Sequence, residues 1–361
     1  MKTPRSLSYS SMTLWEKNPE EFYLRYLAEH AAPRLPQEPP MAVGSSFDAR
    51  VKSALHADLF GAGSDPRFAF EAVFESQVEP QCRDFALTAG QVVFDAYKLS
   101  GSYDELLGLL KQSVEPPRFE FKVDGTIGGV PFTGKPDCRF ILDFGLGRID
   151  CIEDWKVRGY CSKYATSPSK GYMLCRDGFQ SDKPSKSHGT QHTNYLAFNH
   201  RGLTINAGYM EYCNDEYADQ LCLYGWLLGE KPGDEDMVGM IEEIVAKPGT
   251  PAPTLRVANH RGRIKADHQQ KLQDRVARCW NAITTGDIFP DLNHEENVSR
   301  REVLEDMAVS LGKSAGPYDD WFNEVTRPTQ VLTRRKLRCL TPHPRPSRFR
   351  KTSANACCWP T

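Results

Sequence analysis

Through the N-terminal third of the chain, apolar residues recur with helical spacing. Ser10 can cap a short helix, SSMTLWEK, and Asn18-Pro19 caps and opens a second, EEFYLRYLAEH, with proline at its first position. A proline-rich connector at 31–40 leads into a longer helix over roughly 41–60, where Val43, Phe47, Val51 and Leu55 form a stripe at i, i+4. Residues 67–112 read as further helices, clearest in FDAYKL and DELLGLLKQ. The pattern changes near 117. FEFKVDGTI, VPFTGKPDCRFIL and RIDCIEDWKV read as three antiparallel strands of a meander, with Gly128-Gly129 and the Gly145–Gly147 region supplying the turns.

Residues 158–214 form a long polar insertion rich in Ser, Lys, Gly and His. After it, 215–230 is helical by period, MVGMIEEIVAKP is a strand and TLRVANH another. A helix over 264–284 turns Leu272, Val276, Trp280 and Ile283 inward, and a weaker one follows near 300–311. From about 329 nothing periodic remains, and there are no internal repeats. Helices, three strands, a helix and more strand predict an α/β core, a mixed sheet flanked by helices. The expected organisation is one domain over 1–328 carrying the 158–214 insertion, then a disordered tail over 329–361.

Composition changes this picture little. Hydrophobic residues make up 40% and charged residues 25%, an ordinary soluble balance. No apolar run approaches the ~20 residues of a membrane helix. The N-terminus lacks the apolar core and cleavage site of a signal peptide, so the expectation is a cytoplasmic protein with no membrane partner. Eleven scattered cysteines then read as reduced thiols. His188 and His192 sit in a loop without the HExxH setting of a zinc helix. Charge is uneven. The net charge is −2, the residues after Glu324 carry +9 and no acid, and the rest is therefore at −11. An acidic body disfavours tight nonspecific DNA binding, whereas the basic tail suits a nucleic-acid-binding arm.

The chemistry is concentrated on two neighbouring strands. Asp137 follows Gly134-Lys135-Pro136, and Asp154 and Lys156 lie two apart on the next strand, so they point to one face. If Asp137 shares that face, two carboxylates and an ammonium converge between Ile152, Trp155 and Val157, in a strand where unpaired charge is costly. Phosphodiester hydrolysis at neutral pH needs an activated water and neutralised phosphate charge. Mg²⁺ can supply both from a few carboxylates, and a nearby lysine can orient the water. The plainer alternative is an exposed strand face with alternating charge.

GKPDCRF followed by IDCIEDWKV resembles the GxxD…(D/E)xK signature of the PD-(D/E)XK nucleases. Three further features resemble the RecB-type exonuclease branch: Gln220 and Tyr224 in DQLCLYGWLL match its QxxxY helix, LSYSSMTLWEKNPEEFYLRYL its helical opening, and GSSFDARV its GxxxH segment. The likeness spans roughly residues 7–310 in order. It implies a restriction-endonuclease-like fold and a DNA nuclease using Mg²⁺ or Mn²⁺ in recombination, repair or phage DNA metabolism, with other proteins of those processes as possible partners. By position it implies that Asp137 and Asp154 bind metal, that Lys156 acts on the water or phosphate, and that Gln220 and Tyr224 position the lysine or substrate.

Gln220 and Tyr224 share a helix face at i, i+4, as also in an ordinary amphipathic helix. Asp48 stands where the family has histidine. It is either a third hard ligand or half of a solvated helix pair with Lys52. Iron–sulfur members carry a cysteine where this chain has Asn18, and no cysteine trio at short spacing follows Cys279, so the resemblance implies no iron–sulfur cluster. Two rivals stay open: a DNA-binding subunit of the same fold without cleavage, and a restriction-type endonuclease.

Overall fold

A computed structural model describes residues 1–30, 35–143, 145, 147–162, 172–174, 209–210, 213–248 and 254–313 of the chain. Most of the polar insertion and all of the basic tail lie outside the described residues.

The N-terminal helices are α1 (Tyr9–Lys17) and α2 (Pro19–Phe22), the latter running into one π turn, Tyr23–Leu27. The cap of α1 is Ser8 and not Ser10. Ser8 and Ser11 satisfy each other's backbone N–H groups in a capping box, which a reading from the first apolar residue places two positions late. Asn18 caps α2 by accepting from the Glu21 N–H at 3.2 Å. Four helices follow: α3 (Pro39–Phe60), α4 (Phe70–Gln77), α5 (Arg83–Leu99) and α6 (Ser102–Leu110).

The strands are β1 (Arg118–Phe119), β2 (Val123–Ile127), β3 (Val130–Gly134), β4 (Cys138–Asp143), β5 (Arg148–Arg158), β6 (Tyr172–Leu174), then, after α7 (Asp215–Leu227), β7 (Val238–Lys247) and β8 (Thr254–Gly262). Helices α8 (Ala266–Thr285) and α9 (His294–Lys313) complete the described chain. The six-stranded sheet has the order β1-β4-β5-β7-β8-β6, and β2-β3 is a separate hairpin. β5 and β7 are parallel, joined through α7, while the other neighbours are antiparallel. The result is the mixed sheet flanked by helices that the pattern predicts.

The expected three-strand meander is corrected. The first two predicted strands each break in two, so that β2 and β3 leave the sheet as a hairpin while β1 and β4 stay in it. The break in the first falls at Glu120, whose φ of 50° is left-handed and lies outside any strand.

β5 alternates as expected. Cys151 and Trp155 pack towards α3 and α5, while Ile152 joins the core made with α7 and α8. Trp280, expected inward, is only partly buried against that core. On the α5 side, Glu242 of β7 accepts from Tyr97 Oη, from Trp155 Nε1 at 3.2 Å and from Arg261 Nη2 at 3.2 Å, so its burial is compensated. Among the described residues no helix is long and apolar enough to cross a membrane. All the described cysteines are free.

Helices α3 and α5 cross in close contact at Gly90. A Cβ there would stand 2.2 Å from Ser46 Oγ and 3.0 Å from the Ser46 carbonyl carbon. Both residues are buried, so Gly90→Ala must push the helices apart. The expected cost is about 1–3 kcal/mol, read as a lower denaturation midpoint. An unchanged midpoint would show that the two helices separate at no cost.

Candidate active site

Register brings the two aspartates together. Cys138 of β4 pairs with Glu153 of β5, so Asp137, one residue earlier, stands beside Asp154 across the antiparallel ladder. The two carboxyl groups act on each other electrostatically. Asp137 Oδ2 also accepts weakly from the Trp155 N–H, at 3.4 Å. Lys156, two residues along β5, pairs with Asp154 through its ammonium. Trp155 turns to the opposite face.

Helix α7 lies over this face of β5. Gln220 is its link to the strand: its Oε1 accepts from Lys156 Nζ at 2.8 Å, and its Nε2 donates to Tyr224 Oη at 2.7 Å and to Asp154 Oδ1 at 3.3 Å. An amide can accept from an ammonium and donate to a carboxylate at once, so one side chain fixes both strand residues. Tyr224 is buried, and its ring packs on Gly134. A Cβ at Gly134 would stand 2.8 Å from Tyr224 Cδ1, which gives the glycine before Lys135-Pro136-Asp137 a steric reason.

Asp48 approaches from α3. Its carboxylate, with those of Glu120 and Asp137, forms a half-buried trio whose oxygens lie within 4.8 Å of one another. The ammonium of Lys52 sits among them. It is 2.6 Å from Asp48 Oδ1 and 2.8 Å from Asp137 Oδ1, and it also pairs with Glu120. Lys52 is fully buried, so the solvated-pair alternative for Asp48 and Lys52 is set aside. Gln77 of α4 donates to Asp48 Oδ2 at 2.9 Å. Lys135 pairs with the other side of Glu120.

These contacts set the protonation of the group. Burial pushes the Asp154 carboxyl up to about 7, opposed by the Lys156 ammonium and reinforced by the Asp137 charge. Asp137 is also buried, but Lys52 and then Lys156 outweigh that and hold it below the usual carboxylate range. Asp48 is raised by burial against the pull of Lys52. Burial would lower Lys52, yet Asp137 and Asp48 lift it to about 12, so it stays an ammonium.

The donor set suits a hard divalent cation, which takes oxygen ligands at ~2.0–2.1 Å for Mg²⁺. The trio of Asp48, Glu120 and Asp137 is a place where a metal ion could be held, with Asp154 adjoining through Asp137. A metal in the trio competes with the Lys52 ammonium for the same oxygens.

The six residues singled out from the sequence thus fall into one connected group: Asp154, Lys156, Gln220 and Tyr224 on the α7 side, and Asp48 on the α3 side, joined by Asp137. Glu120 and the central position of Lys52 escape sequence reasoning. Glu120 alternates as an ordinary strand residue in FEFKVDG, and only its left-handed backbone turns it into the site.

No family model matches the chain, and comparison with curated proteins finds no match. Among solved structures, the chain is similar to a Eubacterium rectale protein provisionally assigned as an exonuclease. The identity is 13%, the coverage 84% of this chain and 82% of that one, and the TM-score 0.34. A likeness at that level carries no argument about activity, which rests on the geometry of the site.

Proposed function

We propose that the chain is a metal-dependent nuclease that hydrolyses DNA phosphodiester bonds, an exonuclease of the RecB-type PD-(D/E)XK branch serving recombination, repair or phage DNA metabolism. The observation that carries this reading is the convergence of Asp137, Asp154 and Lys156 on one strand face, with Gln220 bonded to both Asp154 and Lys156. The catalytic group is Asp137, Asp154 and Lys156, with Gln220 and Tyr224 positioning. The metal ligands are Asp48, Asp137 and Asp154, and the trio adds Glu120 to them. The domain spans 1–328, and the basic tail over 329–361 adds salt-dependent attraction to phosphate.

Mg²⁺ or Mn²⁺, when bound, supplies charge neutralisation at the phosphate and a more acidic water. Lys156 presents its ammonium beside Asp154, where it can orient the attacking water and offset the charge that develops on the phosphate oxygens. Gln220 holds that ammonium by accepting a hydrogen bond from it. Tyr224 holds Gln220 through the bond from the amide nitrogen. Asp154 holds the Lys156 ammonium on its other side.

The test is incubation of the purified protein with end-labelled linear and closed circular DNA, with and without Mg²⁺. Metal-dependent loss of linear DNA with the circle spared supports the exonuclease. Cleavage of both identifies an endonuclease, and no cleavage with Mg²⁺, nor with Mn²⁺ in its place, sinks the nuclease reading. One observation favours the rival, a DNA-binding domain without cleavage: the Lys52 ammonium already occupies the centre of the acidic trio.

A further inference from the structure

Beside the acidic trio opens a cavity of about 560 Å³. Its walls come from α3 and α4 on one side and from residues 117–122 with Lys135 on the other. One of its lining residues, Glu120, belongs to the carboxylate trio and another, Gln77, donates to Asp48, so the cavity adjoins that trio. In a body at −11, this wall is locally basic. Arg67, Arg118, Lys122 and Lys135 line it, against the acids Asp65 and Glu120. The cations stay accessible: Arg67 meets Asp65 at 2.6 Å with the arginine 84% exposed, Lys122 meets Asp124 at 2.8 Å with the lysine 70% exposed, and Lys135, paired with the half-buried Glu120, is itself 58% exposed.

The same cavity is aromatic at its base. His56 stacks on Phe68 at 4.4 Å between ring centroids and meets Phe119 edge-on at 6.1 Å. Nearer the surface, the guanidinium of Arg118 lies 3.9 Å above the ring of Phe121, which is half-buried. A planar cation over an aromatic face beside further cations is the equipment that reads unpaired nucleotides: flat groups for base faces and positive charge for phosphates. Duplex DNA hides its base faces in the stack and offers such a wall only phosphates and base edges. The cavity is of the size that holds a small ligand, which excludes a double helix.

We propose that this cavity seats an unpaired segment of single-stranded nucleic acid next to the carboxylates, its base on the Phe121–Arg118 pair and its phosphates against Arg67, Lys122 and Lys135. This rests on the nuclease reading and narrows its substrate to a strand with an unpaired end.

The probes are fluorescein-labelled oligothymidine, oligouridine and a DNA duplex of equal length. Binding to the full chain is followed by anisotropy in EDTA, so that cleavage plays no part. Wild type is compared with Phe121→Leu, Arg118→Gln and the double variant. Lys271→Ala, on exposed α8, is the control for loss of a distant charge, and thermal melts confirm that each variant folds. Leucine keeps apolar bulk at 121 and removes only the stacking face.

The double variant is expected to bind at least one of the two single strands at least tenfold more weakly, with duplex binding changed less than twofold. Arg118→Gln alone should reduce the slope of log affinity against log salt by about 0.7 on single strands. Loss on oligothymidine alone assigns the seat to DNA, and equal loss on oligouridine assigns it to either polymer; both support the proposal. Unchanged affinity for both single strands, an equal loss on duplex, or no single-strand binding by wild type overturns it. Absence of cleavage in the Mg²⁺ assay would remove the nuclease reading while leaving this binding result to stand by itself.

Discussion

Lys156→Ala is expected to lower cleavage by at least about a hundredfold while changing DNA affinity by only a few-fold, the size of loss that follows removal of one group acting on transition-state charge. The lysine has two partners, Asp154 and Gln220, and it stands 5.5 Å from the ring centroid of Tyr217. Alanine removes the ammonium and leaves Gln220 Oε1 without its donor, but Gln220 Nε2 still reaches Tyr224 and Asp154, so α7 keeps its place. Gln220→Ala should be milder, about tenfold, because the lysine keeps Asp154 as a partner. Tyr224→Phe should be milder still, since it removes one acceptor from an amide that retains another. Single-turnover rates under saturating enzyme, with affinity measured separately in EDTA, distinguish these effects. Residual activity of Lys156→Ala within a few-fold of wild type would reduce the lysine to a structural partner of Asp154.

The strand carrying that chemistry is legible in the amino-acid pattern alone. Alternation in RIDCIEDWKV puts Asp154 and Lys156 on one face and Trp155 on the other, and the strand does so because each face has its own core to fill. The neighbourhood of Asp137 is legible only as a condition, since a strand register is not a local property. The register that satisfies it is the Cys138–Glu153 pairing. Gln220 and Tyr224 are legible as one helix face, but the docking of that face over β5 follows from the crossover between parallel strands. Glu120 is hidden because a single left-handed residue breaks the predicted strand after Phe119 without any glycine to mark it. Lys52 is hidden for a different reason. Its local sequence offers one partner, Asp48 at i−4, whereas its burial is compensated by Glu120 and Asp137, 68 and 85 residues away in the chain.

Lys52→Met is expected to lower stability by about 3–5 kcal/mol in EDTA, because it leaves buried carboxylates without their cation. That is a large share of the roughly 5–15 kcal/mol that holds a protein folded. Methionine nearly matches the lysine stem in volume, so the cost is electrostatic and not a cavity. Asp48, Glu120 and Asp137 then face one another within 4.8 Å, with Lys135 on Glu120 and Lys156 acting on Asp137 as the remaining cations. A divalent ion should restore much of the loss, since a ligand that binds only the folded state stabilises it in proportion to the logarithm of its concentration over its Kd. In wild type the same ion must displace an ammonium whose pKa of about 12 keeps it charged, so its binding should be weaker. Urea denaturation with and without Mn²⁺, paired with calorimetric titration of Mn²⁺ into each protein, measures both quantities. Stability of Lys52→Met equal to wild type in EDTA would show that the trio does not need the lysine. Weaker Mn²⁺ binding by the variant than by wild type would mean that Lys52 supports the metal and does not compete with it. Mn²⁺ binding by the variant alone would identify Lys52 as the resident cation of the trio and favour the reading without cleavage.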